Sequence, residues 1–324
     1  MLALRAGGAM TKVLIDCDPG HDDAVALLFA ARHLELVGIT TVHGNSTLDN
    51  TTRNALALLE LAGLETAVAR GCAGPLVGSA THAEHIHGSS GLDGATLPQP
   101  TRQPVAAHAV DFIIDQAERH RGELVLAVIG PQTNLAMALR REPRLAGWLR
   151  EITVMGGSTT TGNVTPAAEF NIYGDPEAAA AVFASGIPIR MVGLNVTRRT
   201  GFAAADVARL RGSGRRVAAV IADLLAFYLE RQREAFRLDL APMHDVCAII
   251  PYVFPELIRY GETFVQVELT GAATRGMTVC DLRSLHPGTT LPARLAKTCN
   301  AHVALEADSR LLINRVIETI LTYP

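Results

Sequence analysis

From end to end the chain alternates short, almost purely apolar runs with longer amphipathic segments, and this alternation restricts the folds open to it more than any other feature. The runs at 13–15, 36–42, 124–129, 152–155, 189–192 and 264–269 have strand character, the early ones nearly continuous in Val, Ile and Leu. Segments 23–32, 50–61, 106–119, 134–139, 176–184, 215–236 and 309–321 have helical character. A strand that is apolar on both faces needs cover on both, and a parallel sheet flanked by helices supplies it. Crossovers of about one helix join such strands. The expected class is therefore α/β: an open, mostly parallel, Rossmann-like sheet flanked by helices, with extra strands and helices towards the C-terminus.

At 324 residues the length accommodates one large domain or two ordinary ones. No linker-like shift in composition and no repeat divides the chain, so residues 11–324 are expected to form one domain behind a loose tail at 1–10. Met10 is an alternative start, and the Gly-Gly break before it leaves no signal-peptide core. A 48% hydrophobic composition supplies a large core. The net charge of -3, without a long Lys/Arg run, argues against nucleic acid or an anionic membrane as partner and suits a small neutral molecule. The five cysteines are scattered with no C-x-x-C spacing, which points to a reducing cytoplasm rather than a disulfide framework. No apolar run approaches the ~18 residues that span a bilayer.

Against this background one segment stands apart. Asp16, Asp18, Asp22 and Asp23 fall within eight residues, directly after the apolar run 13–15. Like charges this close repel unless something neutralises them, and a bound cation does so. Capping of the helix that opens at Asp22-Asp23 explains one of that pair. It leaves Asp16 and Asp18, at the carboxyl end of a strand where open α/β sheets place their ligands.

Five further segments carry polar residues that folding alone does not require. Thr40-Thr41-Val42-His43-Gly44-Asn45 closes the second strand, although Gly-Asn is also ordinary turn chemistry. His85-Ile86-His87 opens a Gly/Ser-rich loop, and its i, i+2 histidines are more common on surfaces than around metals. In Gly130-Pro131-Gln132-Thr133-Asn134, Thr133 fits a helix cap, and its carbonyl equally suits a hard cation. Met155-Gly156-Gly157 precedes a loop with Asn163, Glu169 and Asn171, groups suited to sugar hydroxyls, while Asp175-Pro176 fits a helix start. Last comes His244-Asp245, opening an apolar helix.

Taken in order from about residue 12 to the C-terminus, the Asp-x-Asp-Pro-Gly-x-Asp-Asp cluster, the strand end at Asn45, the loop from Asn163 to Asn171 and His244-Asp245 resemble the inosine-uridine-preferring nucleoside hydrolases. The resemblance implies Ca²⁺-dependent hydrolysis of the N-glycosidic bond of ribonucleosides. Asp18, Asp23, Asp245 and the Thr133 carbonyl would hold the calcium. Asp22 would be the general base, with His244 grouped beside it as catalytic. Asn45, Asn163, Glu169 and Asn171 would grip the ribose, supported by Asp16. His87, His244 and Met155 would lie towards the nucleobase, with Tyr228 and Gln232 on the substrate side of the segment 215–236. Gln232 falls where pyrimidine-preferring members carry an amide, whereas Phe236 replaces a tyrosine, so the resemblance implies pyrimidine preference, with purine or broad specificity in the same family as the alternative. The other reading of Arg231, Gln232, Arg233 and Glu234 is a solvated helix face. A homodimer or homotetramer is expected.

The oxygen-only ligand set suits Ca²⁺ over Zn²⁺, and carboxylates around a sugar suit an oxocarbenium-like transition state. Two rival readings are a haloacid-dehalogenase-like phosphohydrolase with Asp16 as nucleophile, and a non-catalytic nucleoside-binding protein. The first leaves Asp22, Glu169, Asn171 and His244-Asp245 without tasks.

Overall fold

The computed structural model describes residues 10–286, 288–290, 292 and 296–324. The expected tail at 1–10 lies outside the described residues except for Met10. In chain order the strands are β1 (Lys12–Cys17), β2 (Glu35–Thr41), β3 (Val68–Arg70), β4 (Val125–Val128), β5 (Glu151–Met155), β6 (Ile189–Val192), β7 (Gly201–Phe202), β8 (Ala241–Pro242), β9 (Ile258–Thr263), β10 (Val265–Val267), β11 (Thr278–Cys280) and β12 (Ala301–Ala307). Eight of them form one sheet in the order β3-β2-β1-β4-β5-β6-β12-β9. All neighbours in it pair in parallel except β12 and β9.

The period of two along the strands explains why both faces are apolar. Val13, Ile15 and Cys17 of β1 join one buried cluster with the first helix (His21–His33), the long helix Arg216–Phe236 and the last helix Ser309–Ile320. Leu14 joins the other, with helices Ala109–Arg119, Thr133–Arg141 and Pro176–Phe183. Strand β4 divides in the same way, Val125 and Ala127 to the first cluster and Leu126 and Val128 to the second. The first helix is buried from His21 to Ala30 without a break, so it is a core element and not an amphipathic surface one.

Strand order turns back on itself between β1 and β4, with β2 and β3 to one side and β5 and β6 to the other. At such a switch point the loops beyond the strand ends diverge and leave a crevice. Asp18, His43, Gln132 and Gly156 all follow strand ends there.

Some elements differ from expectation. The strand-like run 264–269 is realised as β10, but it pairs with β11 in a separate two-stranded unit. Strands β3, β9 and β12 were not legible. Strand β9 (Ile-Arg-Tyr-Gly-Glu-Thr) is a sheet edge with half its residues polar, and β12 carries His302 and Glu306 among its apolar positions. The four-residue helices Glu84–His87, Leu145–Trp148, Leu194–Thr197 and Val246–Ile249 are too short to display a helical period. Among the described residues no helix is long and apolar enough to cross a membrane.

Candidate active site

The floor of the crevice is acidic and buried. After β1, Asp18-Pro19-Gly20 turns the chain into the first helix, and Asp18, Asp22 and Asp23 are all buried. Asp18 Oδ2 accepts the Asn45 N–H at 2.7 Å, while Asp18 Oδ1 is buried without a partner. Asp23 Oδ2 accepts the Gly20 N–H at 2.8 Å and the Asn45 amide at 3.1 Å, and Asp23 Oδ1 is again an orphan. Helix capping thus accounts for one oxygen of Asp23 and leaves the other unexplained. Asp245, following β8, brings a third carboxylate against Asp22 and Asp23, with ligand oxygens all within 4.8 Å of one another. Glycines let the backbone close in: a Cβ at Gly44 would stand 2.0 Å from Asp18 Oδ2, and one at Gly130 2.6 Å from Asp18 Oδ1.

Burial, reinforced by Asp23, pushes the Asp22 carboxyl up to about 8. Burial and Asp23 hold Asp18 well above the usual carboxylate range, and burial with Asp22, Asp23 and Asp18 does the same for Asp245. Asp23 is pushed up to about 6 by burial, against hydrogen bonds that favour its ionised form. Four such carboxyls, buried together, cannot all ionise without positive charge among them. Two unpartnered oxygens on an all-oxygen donor set fit a hard cation. Among the described residues, Asp22, Asp23 and Asp245 are the group of three or more His, Cys, Asp or Glu able to close on one ion, and the His85/His87 pair is not part of it.

Above the floor lies a cavity of about 340 Å³, within the range of small-molecule sites. Of the residues singled out from sequence, Asp22, Asn45, His87, Met155, Asn163, Glu169, Asn171, Tyr228, Gln232, His244 and Asp245 line it. Asp16, Asp18, Asp23 and Thr133 do not. Asp16 is wholly buried beneath, its Oδ1 accepting from Thr40 (2.6 Å) and Asn134 (2.8 Å) and its Oδ2 without a hydrogen-bond partner. It braces the ends of β1 and β2 and touches no cavity wall, which removes the nucleophile that a phosphohydrolase would need. Thr133 is the first residue of its helix and not its cap, and its hydroxyl donates to Asp175 at 2.7 Å. Asp175 caps the helix starting at Pro176, as its Asp-Pro sequence suggests.

The amides of the wall are fixed in orientation. Asn171 donates its side-chain N–H to the carbonyls of Ile129 (2.8 Å) and Met155 (3.0 Å), tying together the ends of β4 and β5. Asn163 Oδ1 accepts the Phe170 N–H at 2.9 Å, so its amide NH₂ is left for a ligand. Glu169 takes backbone N–H groups from Gly157, Asn171 and Ile172, yet burial still pushes it up to about 7.

Imidazoles and aromatic rings form a further wall. His87 and His21 bring their Nδ1 atoms to 2.9 Å, and His21, His87 and Tyr228 stack with centroids 5.2–5.4 Å apart. His21 was not singled out from sequence, although it sits inside the acidic motif. Gln232 is buried beside Tyr228, so the solvated-face reading applies to Arg231, Arg233 and Glu234 but not to it. His244 Nδ1 lies 2.7 Å from the Thr197 hydroxyl, and burial, with Arg198 nearby, lowers its pKa to about 4. Arg198 also lines the cavity and had no sequence signal beyond its charge.

Comparison with known proteins places this geometry in context. The family described as inosine-uridine preferring nucleoside hydrolase matches residues 13–314. A relative from Escherichia coli O157:H7 (strain EC4115), described as the pyrimidine-specific ribonucleoside hydrolase RihB, is 38% identical over 314 residues, 96% of this chain and 97% of the relative. A purine-preferring ribonucleoside hydrolase from Gardnerella vaginalis superposes with a TM-score of 0.88 at 31% identity, covering 96% and 98% of the two chains. A plant nucleoside hydrolase, PpNRh1, gives a TM-score of 0.88 at 33% identity, covering 96% and 99%.

Proposed function

The chain belongs to the inosine-uridine preferring nucleoside hydrolase family and is a ribonucleoside hydrolase; from that premise we propose that it is calcium-dependent and prefers pyrimidine ribonucleosides. The observation that carries the metal reading is the pair of orphan oxygens, Asp18 Oδ1 and Asp23 Oδ1, in a buried acidic floor. Asp18, Asp23 and Asp245, with the Thr133 carbonyl, are the groups that would hold the ion, although the carboxylate oxygens already within 4.8 Å of one another are those of Asp22, Asp23 and Asp245, so Asp18 would have to close in on binding. Calcium bound there supplies positive charge that binds vicinal hydroxyls and makes water more acidic.

The residues of the chain do the rest. Asp22 reaches the cavity wall beside Asp245, and this position supports the reading that it is the general base. In the reaction the C1′–N bond breaks with its electron pair going to the base, a water oxygen bonds C1′, and Asp22 takes the water's proton. Glu169 and the amide oxygens of the wall stabilise the positive charge that develops on the ribosyl ring. Asn45, Asn163 and Asn171 orient the ribose, while His87, Met155, Tyr228, Gln232 and His244 face the nucleobase.

For the base, the support is the buried Gln232 amide, which lines the cavity together with Tyr228, and the 38% identity to a pyrimidine-specific relative. Phe236, 39% exposed on the cavity rim, brings no hydroxyl. A reducing-sugar assay on uridine, cytidine, inosine and adenosine, with calcium and with a chelator, tests the reading. Faster release from the pyrimidine pair, abolished by chelation, is expected. Equal rates with chelator would remove calcium, and faster purine cleavage would remove the pyrimidine preference.

A further inference from the structure

Segment 156–168 has no regular secondary structure, yet it carries Asn163 and Val164 into the cavity wall. It is held partly by itself: the N–H groups of Asn163, Val164 and Thr165 converge on the Ala168 carbonyl, and that of Gly162 reaches Pro166. Thr160, Thr161, Val164 and Pro166 are exposed, so packing contributes little there. Among the described residues, the hydrogen bonds that reach 159–166 from beyond residue 172 come from two side chains. Asn195 Oδ1 accepts the Thr159 N–H at 3.3 Å, and Arg198 donates Nη1 to the Thr161 hydroxyl (2.9 Å) and Nη2 to the Gly162 carbonyl.

We propose that Arg198 is a positioning residue, a latch whose forked guanidinium holds the Thr161 hydroxyl and the Gly162 carbonyl and so sets the Asn163 amide against the ribose. The proposal rests on the ribose-binding reading of Asn163. A planar fork spanning two acceptors is a task for Arg rather than Lys, whose single ammonium cannot span them in the same way. Thr197, the preceding residue, fixes His244, so one short turn steadies two parts of the wall.

Two measurements on the full chain test the latch. The first is amide hydrogen exchange of wild type and Arg198→Met without ligand. Exchange in 159–166 about tenfold faster in the variant, with the β-sheet unchanged, is expected for a locally freed segment; unchanged exchange overturns the proposal. The second is a double-mutant cycle with Asn163→Ala, using whichever ribonucleoside wild type cleaves fastest. Arg198→Met should raise KM about tenfold in the wild-type background and less than about twofold in Asn163→Ala, with Arg198→Lys falling between. Effects that simply multiply would show that Arg198 does not act through Asn163 and would overturn the assignment. Should wild type cleave no ribonucleoside, the proposed function falls, and the exchange result alone decides whether the latch exists.

Discussion

Asp22 and Asp23 are neighbours in one helical turn, and their surroundings give them different chemistry. Asp23 is committed to Gly20 and Asn45 through one oxygen, whereas Asp22 lines the cavity. Asp22→Asn should therefore fold and bind substrate with KM within a few-fold of wild type, while kcat falls by ~10²–10⁴, the usual worth of a general base. Near-normal turnover would take Asp22 out of the mechanism. Asp18→Ala deletes a buried carboxylate that no protein group otherwise neutralises, and calcium affinity by titration calorimetry should drop about tenfold or more, since ligand charge sets affinity at such sites. An unchanged dissociation constant would place the ion elsewhere.

At the scale of elements, the loop after the short helix Glu84–His87 governs where His87 stands. Asp93 gathers the N–H groups of Ser89 (3.1 Å) and Ser90 (3.2 Å) and the Ser90 hydroxyl, and its own carbonyl lies 2.8 Å from His21 Nε2. Asp93→Ala should free this loop, lowering Tm by about 1–2 °C for the loss of about 1 kcal/mol. KM should rise several-fold with a smaller change in kcat, because a mispositioned His87 affects binding first; wild-type KM would show that the loop holds itself. Element-scale legibility follows the same logic of packing. Strands β1 and β4 were readable because both faces are buried, whereas β9 is a polar sheet edge and His302 and Glu306 interrupt the apolar run of β12. The aspartates and wall amides were readable because their spacing is local to one motif each. His21 and Arg198 were not, because their meaning depends on His87 and Gly162, residues 66 and 36 positions away in the chain.

For the molecule as a whole, the acidic floor lies where β1 and β4 part, beside the core that the first helix completes, so the charge state of the site bears on folding. A carboxyl whose pKa is raised in the folded state favours the fold when protonated. Its contribution is full below the unfolded value near 4 and is lost as pH climbs through the folded value. Burial pushes Asp23 up to about 6, Asp16 and Glu169 to about 7 and Asp22 to about 8, so metal-free protein should lose stability steadily between about pH 4 and 8. A cation that binds the ionised cluster opposes this loss, and its effect must grow as the carboxyls ionise. Saturating calcium, at about 100 times its dissociation constant, adds ~2.7 kcal/mol to the folded state, which corresponds to a Tm rise of roughly 4 °C in a chain of this size. Thermal melts with calcium and with chelator should therefore diverge at about pH 8 and converge at about pH 5.5, where the cluster is largely protonated and binds the ion poorly. A calcium-induced shift of equal size at both pH values would mean that the ion does not bind these aspartates, and the orphan oxygens of Asp18 and Asp23 would need another partner.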